Sequence, residues 1–281
     1  MRPMIFLILM GMIAGSSATA AFNMSVHDCA LQYSAASHCS TASLEAWNCS
    51  SCKPLPGFVL TAVVDDPETN IRGFVGYSPQ NDTLVVSFRG TVGHLNWLED
   101  SDLNEVPLPN APEGVEVHQG FLDSYRSVRT AVLMAVTATV AKASPKYCLV
   151  TGHSLGGALA VLAVLDLHQT GLAGNFSSVL MYNYGQPRVG NQAFAQLYQA
   201  LQPASFRVIN QRDPVPHLPP RKLPGLPRDT YWHAPSEVWY HGQPPYYETC
   251  GPSGEEPDCS DGVIDLDFAD HGTYMGVAMS C

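Results

Sequence analysis

Basic residues are scarce in this chain. Lys and Arg number 14 against 25 Asp and Glu in 281 residues, a formal net charge of −11. Binding nucleic acid needs a basic face to neutralise phosphates, so that class of function is excluded. Attraction to an anionic membrane surface is excluded on the same ground, and any contact with lipid must be apolar. Long apolar runs are also missing beyond residue 20. The best stretch, Gly156 to Leu165, stops at Asp166, short of the roughly 20 residues that a membrane span requires. No His-x-x-x-His or comparable ligand cluster occurs, so neither a metal nor another cofactor is expected. No internal repeat, low-complexity tract or linker is present, which predicts one domain over residues 21–281.

What the chain does have begins with an export signal. Arg2 gives a positive start, Met4 to Ala14 is apolar, and Ala18-Thr19-Ala20 is a small-residue cleavage site. Residues 1–20 therefore read as a signal peptide and the mature protein as secreted and extracellular. Removing them takes away Arg2 and no acid, so the net charge moves from −11 to −12. Eight cysteines in an exported chain imply disulfides, although spacing does not determine connectivity. Cys49 and Cys52 are near enough for a local loop, as are Cys250 and Cys259. A Cys39–Cys281 bridge would clamp the N-terminal region to the C-terminus. Cys148 lies inside a strand-like run and reads as a buried free thiol, which leaves Cys29 over. Sequons for N-linked glycans occur at Asn23, Asn48, Asn81 and Asn175, and turn-like surroundings favour Asn81 and Asn175.

The strongest local pattern is Gly152-His153-Ser154-Leu155-Gly156. Tyr147 to Thr151 is a short apolar run of strand type, and Leu155 to Leu167 reads as a buried helix. A strand that bends sharply into a helix needs residues without bulk on either side, and the two glycines supply that. The bend would push the Ser154 hydroxyl out at the sheet's edge, as in the nucleophile elbow of a serine hydrolase. The flanking chain agrees. One helix is predicted over Asp28 to about Ser43, then strands over Gly57 to Val64, Ile71 to Tyr77 and Asp82 to Phe88, the last two as a hairpin. A long helix over Phe121 to Ala143 carries the stripe Phe121, Tyr125, Val128, Val132, Val136. Strands at Val179 to Tyr184 and Phe206 to Asn210 flank a helix near Gln192 to Gln202, and short strands are expected near Tyr231 and Tyr246. This alternation predicts an α/β fold with a mostly parallel central sheet and helices on both faces.

A serine hydroxyl is a poor nucleophile unless a histidine takes its proton and an acid holds that histidine. On α/β-hydrolase topology the acid and then the histidine follow the serine along the chain. Asp213, three residues beyond the strand ending at Asn210, meets that order, and equally would serve as a turn residue before Pro214. Four histidines compete. His217 shares the loop of Asp213, His233 and His241 lie in aromatic strand-like segments, and His271 sits in a late loop. Position leans to His271 without separating it from the rest. Oxyanion donors are expected from the Leu155 N–H, at the helix start, and from Gly90-Thr91, at the end of an earlier strand.

Several segments then match a known pattern in order: Phe88-Arg89-Gly90-Thr91, Leu95-Asn96-Trp97-Leu98, Val117-His118-Gln119-Gly120-Phe121, the elbow, Gly185-Gln186-Pro187-Arg188-Val189-Gly190, Asp213-Pro214-Val215-Pro216-His217-Leu218-Pro219-Pro220 and Asp270-His271. On these the chain resembles the fungal-type class 3 lipases over essentially all of residues 29–281. The resemblance implies a single-domain α/β-hydrolase fold and a serine triacylglycerol lipase working through an acyl-enzyme. It makes Ser154, Asp213 and His271 the triad and Thr91 with Leu155 the oxyanion hole. It implies the pairings Cys39–Cys281, Cys49–Cys52 and Cys250–Cys259, and leaves Cys29 and Cys148 unmatched. His118, His153 and His217 become framework positions.

The family places a lid at Val92 to Asp100, where a helical turn would put Val92, Leu95 and Leu98 near one face with Trp97 beside it. Exposing roughly 400 Å² of that face in water would cost roughly 10 kcal/mol, and an oil–water interface would remove most of the cost. Interfacial activation on a lipid substrate is the expectation, with a monomer as the working form. Mono- or diacylglycerol lipase, phospholipase A1 and feruloyl-type esterase activities share the fold. A non-catalytic lipid- or wall-binding relative should have lost a triad or oxyanion position, and here each is filled.

Overall fold

The computed structural model describes residues 21–91, 103–202, 204–223, 225, 230–234, 236–242 and 246–281. The signal peptide read over residues 1–20, and the lid residues Val92, Leu95, Trp97 and Leu98, lie outside them. Helices α1 (Met24–Ala36) and α2 (Thr41–Glu45) precede the hairpin strands β1 (Val59–Asp66), β2 (Ile71–Ser78) and β3 (Thr83–Phe88). Short strands β4 (Glu105–Pro107) and β5 (Glu116–His118) lead into the long helix α3 (Gln119–Ala143). Then follow β6 (Tyr147–His153), α4 (Leu155–Gln169), β7 (Ser178–Tyr184), α5 (Gln192–Leu201), β8 (Ser205–Asn210), β9 (Glu237–Tyr240), β10 (Tyr247–Thr249), β11 (Thr273–Tyr274) and β12 (Val277–Ala278).

Among the described residues the main sheet has eight strands in the order β1-β2-β3-β6-β7-β8-β9-β10. It begins antiparallel, runs parallel from β3 through β9, and ends with an antiparallel β10. The central strand β6 lies between β3 and β7, with Val150 paired to Val86 and Met181. Cys148 and Val150 are wholly buried, as expected of a strand covered on both faces, where a near-continuous apolar run replaces alternation. Helices α3, α4 and α5 pack one face through Phe121, Val128, Val132, Leu159 and Phe194. Helix α1 packs the other through Ala30, Leu31 and Tyr33, against Phe74, Leu149 and Tyr184. Helix α4 is buried from Leu155 to Leu167 on every side, which explains a sequence apolar all round rather than in a stripe. No described helix is long and apolar enough to cross a membrane.

The predicted single helix over Asp28 to Ser43 is two. Ser37 turns its hydroxyl back to the Ser34 carbonyl at 2.6 Å, Cys39 is drawn into a disulfide with Cys281, and Ser40 caps α2 by accepting from the Ser43 N–H. Serines that bond local backbone compete with helix continuation, so the break falls there. Near Tyr231 the expected strand reduces to an isolated bridge between Gly190 and Trp232, while β10 occupies the segment after Tyr246. The disulfides Cys49–Cys52 and Cys250–Cys259 are also formed, and Cys29 and Cys148 are free.

Two histidines make this frame sensitive to acid. Burial holds His27 at about 4, against an ordinary 6.5. His38 is likewise held at about 4, by burial first and then by the Arg89 charge. Because the folded values lie below the unfolded ones, the unfolded chain takes up protons that the native one refuses as pH falls from about 6.5 to about 4. Stability is then whole above that window and is lost through it, by on the order of 3 kcal/mol per ring. The urea midpoint should fall between pH 7 and pH 4.5, and should fall less in His27→Gln. Equal pH dependence in the two proteins would show that the His27 ring is not held neutral.

Candidate active site

The elbow obeys the steric argument made from sequence. Ser154 has φ 56° and ψ −128°, left-handed backbone that a side chain rarely adopts and that persists only when its surroundings enforce it. Its N–H donates to the Tyr184 carbonyl at 2.9 Å, which ties the turn to β7. A Cβ on Gly152 would run into the Gly156 backbone, and one on Gly156 would run into the Phe88 carbonyl. Strand, helix and the end of β3 therefore approach one another only because both positions are glycine. Leu155 opens α4, where N–H groups have no intrahelical acceptor. Gly90 lies against the same turn, its missing Cβ facing the His153 carbonyl at 2.9 Å and Ser154 Cβ at 3.1 Å. Thr91 follows it, and its Oγ1 is buried with no hydrogen-bond partner among the described residues.

Asp213 and His271, 58 positions apart, meet here. His271 Nδ1 lies 2.9 Å from Asp213 Oδ2, the aspartate side chain fully buried and the imidazole slightly exposed. With Nδ1–H donated to a carboxylate, the lone pair sits on Nε2, the tautomer a general base requires. Asp213 Oδ1 accepts from the Val215 N–H at 2.9 Å, so the carboxylate is held at both oxygens. Gly185, with φ +58°, completes the enclosure: a Cβ there would meet Tyr274 Oη at 2.6 Å, Asp213 Oδ2 at 2.7 Å and His271 Cε1 at 2.9 Å.

The competing histidines are elsewhere engaged. His217 gives its carbonyl to Arg188 at 2.6 Å. His233 is buried with Nε2 on the Pro216 carbonyl at 2.8 Å, and burial holds its ring well below the ordinary range. His241 stacks on Trp239 near the surface. His118 caps α3, its Nδ1 accepting from the Phe121 N–H at 3.3 Å. His153, next to Ser154, donates Nε2–H to the His271 carbonyl at 2.8 Å, and the two rings lie 4.3 Å apart. Burial and the neighbouring His271 and His38 rings keep His153 neutral, well below the ordinary value. It thus lies packed between Ser154 and His271.

Three residues with a part in this geometry were not singled out from sequence. Tyr274 donates its hydroxyl to Asp213 Oδ2, and burial with the adjacent carboxylate pushes that phenol well above its usual range, so it remains a donor. Arg212 accepts from the Asp267 N–H, donates its own N–H to Asp270 and pairs with Asp265 and Asp267, stapling the histidine loop to the aspartate loop. Arg188, almost wholly buried, bonds Glu255, Asp261 and the carbonyls of His217 and Pro219, and so fixes the loop after Asp213. The signal available was an arginine set between Pro187 and Val189 in a segment that is otherwise uncharged, because a buried cation needs paired acids. Glu237, Cys250 and Cys259 lie within 4.8 Å of one another, but both cysteines are oxidised, so that group has no thiolates to offer a metal.

The tyrosine yields an expected outcome. Tyr274→Phe removes one donor to a buried carboxylate, worth about 1.5 kcal/mol or more. A roughly tenfold loss of kcat for ester hydrolysis with KM unchanged should follow. An unchanged kcat would show that Asp213 is held without it.

The family model for class 3 lipases matches residues 85–223, from β3 through the Asp213 loop. The chain is 35% identical to the lipase of Rhizomucor miehei over 249 residues, 87% of this chain, and spans 66% of that relative's length. It is 32% identical to secreted mono- and diacylglycerol lipase 1 of Fusarium solani, over 84% of this chain and 69% of the relative. A solved fungal lipase–inhibitor complex, described as a model for interfacial activation in lipases, superimposes with a TM-score of 0.80 at 31% identity. That match covers 92% of this chain and 97% of the other.

Proposed function

Because this chain belongs to the class 3 lipases, we propose that it is an exported serine lipase that hydrolyses acylglycerol esters with Ser154, His271 and Asp213. The observation that carries the reading is the Asp213–His271 hydrogen bond, formed beside the elbow that presents Ser154. In this reading the Ser154 oxygen attacks the ester carbonyl carbon as its proton passes to His271 Nε2. The resulting oxyanion is met by the N–H groups of Leu155 and Thr91, fixed donors aimed where charge develops. His271 then protonates the departing glyceride alkoxide, leaving an acyl ester on Ser154. A water molecule, deprotonated by the same imidazole, releases the fatty acid and restores the serine. Asp213 remains a carboxylate throughout and offsets the charge of the imidazolium. One chain supplies every group of this site, in keeping with a monomer.

Residues 92–100 supply the interfacial part of the proposal through the apolar set Val92, Leu95, Trp97 and Leu98. Hydrolysis of a short-chain triglyceride should rise steeply as its concentration passes the solubility limit, since an oil phase re-buries that face. A curve that saturates smoothly below the limit would count against the lid. The similarity to a mono- and diacylglycerol lipase supports a second reading on the same chemistry. A panel of long-chain tri-, di- and monoacylglycerol, phospholipid and feruloyl ester separates the two. Preference for the triacylglycerol supports the first reading, and turnover confined to partial glycerides supports the second.

A further inference from the structure

At the opposite end of the parallel strands from Ser154 lies a cavity of about 300 Å³ between α1 and the β2–β3 turn. β6 spans the two sites with seven residues, about 20 Å at the usual strand rise. Val26, Tyr33, Tyr147 and Leu149 are among the residues that line it, and so is Cys29. Cys29 is half-buried and unpaired, whereas the other free thiol, Cys148, is wholly buried. A partly accessible thiol on an exported protein is open to oxidation and to intermolecular disulfides. Something should shield it.

Asn81 is placed to do so. It belongs to the sequon Asn81-Asp82-Thr83, is exposed at the hairpin turn, and lines the same cavity. Its Nδ2 is directed at Cys29 Sγ, 4.0 Å away, a contact too long and too weak to occupy an amide donor. Asn175 by contrast donates Nδ2 to the Leu172 carbonyl at 2.9 Å, and Asn23 caps α1 through Oδ1 and does not line this cavity. We propose that Asn81 carries an N-linked glycan whose first sugar seats in this cavity and seals the Cys29 thiol. The volume stands at the small end of ligand clefts, room for one sugar ring. Tyr33, Tyr147, Leu149 and Leu180 line the cavity with largely apolar side chains, and the Thr83 hydroxyl donates to the Asn81 carbonyl at 2.8 Å, holding the sequon turn in place. In the attachment step Nδ2 forms a bond to C1 of an N-acetylglucosamine. The bond from that carbon to the pyrophosphate oxygen of a lipid-linked donor breaks, the lipid pyrophosphate leaves with the electron pair, and Nδ2 gives up one proton to solvent.

The test uses the full chain secreted from a eukaryotic host. Peptide mass spectrometry should find the glycan on Asn81. Iodoacetamide should alkylate Cys29 at least tenfold faster after the folded protein is deglycosylated enzymatically, and equally fast in Asn81→Gln and in Thr83→Ala, which keeps the asparagine but loses the sequon. Under air the two variants should form disulfide-linked dimers on a non-reducing gel, and Cys29→Ser/Asn81→Gln should not. Ester hydrolysis should be unchanged in all of them, which reports an intact fold. An unmodified Asn81 in the secreted protein, or a Cys29 alkylation rate indifferent to deglycosylation, overturns the proposal.

Discussion

Ser154→Ala should lower kcat for ester hydrolysis by on the order of 10⁵-fold while the protein stays folded. The loss is large because no other group at the elbow can form the acyl ester; what survives is the contribution of the oxyanion donors and of substrate binding. Stability should hardly change. The substituted residue keeps the same left-handed φ of 56°, enforced by the Tyr184 carbonyl and by the close approach at Gly152 and Gly156. The alanine side chain removes one oxygen and adds no bulk. A fluorophosphonate should label the parent and not the variant. His271→Ala should cost a similar factor, and the double variant little more, since the groups act as a unit. A folded Ser154→Ala protein that hydrolyses tributyrin at a tenth of the parent rate would remove the serine from the mechanism.

The second large effect is on stability. Breaking Cys39–Cys281, which closes a separation of 242 residues, should destabilise the protein by roughly 5 kcal/mol through regained freedom of the unfolded chain. Breaking Cys49–Cys52, with a separation of 3, should cost about 2 kcal/mol on the same argument. For a chain of this size the first corresponds to a Tm lower by roughly 10–20 °C. Calorimetry of Cys39→Ser/Cys281→Ser beside Cys49→Ser/Cys52→Ser gives the comparison. Equal shifts would show that loop entropy does not set the difference. The long bridge also anchors the segment that carries His271, since Tyr274 and Met279 are buried in the core behind it. The variant should therefore lose activity below its unfolding temperature.

Much of the site was legible before any coordinates. The elbow could be read because its constraint is local: Gly152 and Gly156 are two residues from Ser154, and the strand and helix around them show their type in their own composition. Asp213 was narrowed by the same logic, as the first acid after a strand. Where the reading erred, a local competitor had been overlooked, as at Ser37 and Ser40, whose hydroxyls end α1 and begin α2. The aromatic segment before His241 is indeed β9, whereas His233, in a segment of similar composition, is buried outside the sheet. Aromatic content marks strand and core packing alike.

By itself the sequence determined the glycine-flanked bend at Ser154, most of the strands and helices around it, and the excess of acidic over basic residues. Each of these is written in neighbouring residues or in bulk composition. Only the tertiary structure decided that His271 and Tyr274 both meet Asp213 Oδ2, and that Arg188 and Arg212 brace the two loops. Those are contacts between residues tens of positions apart. Chain periodicity carries no information about them, because a proton can be passed or a buried charge satisfied only across a few ångströms of space that folding alone creates.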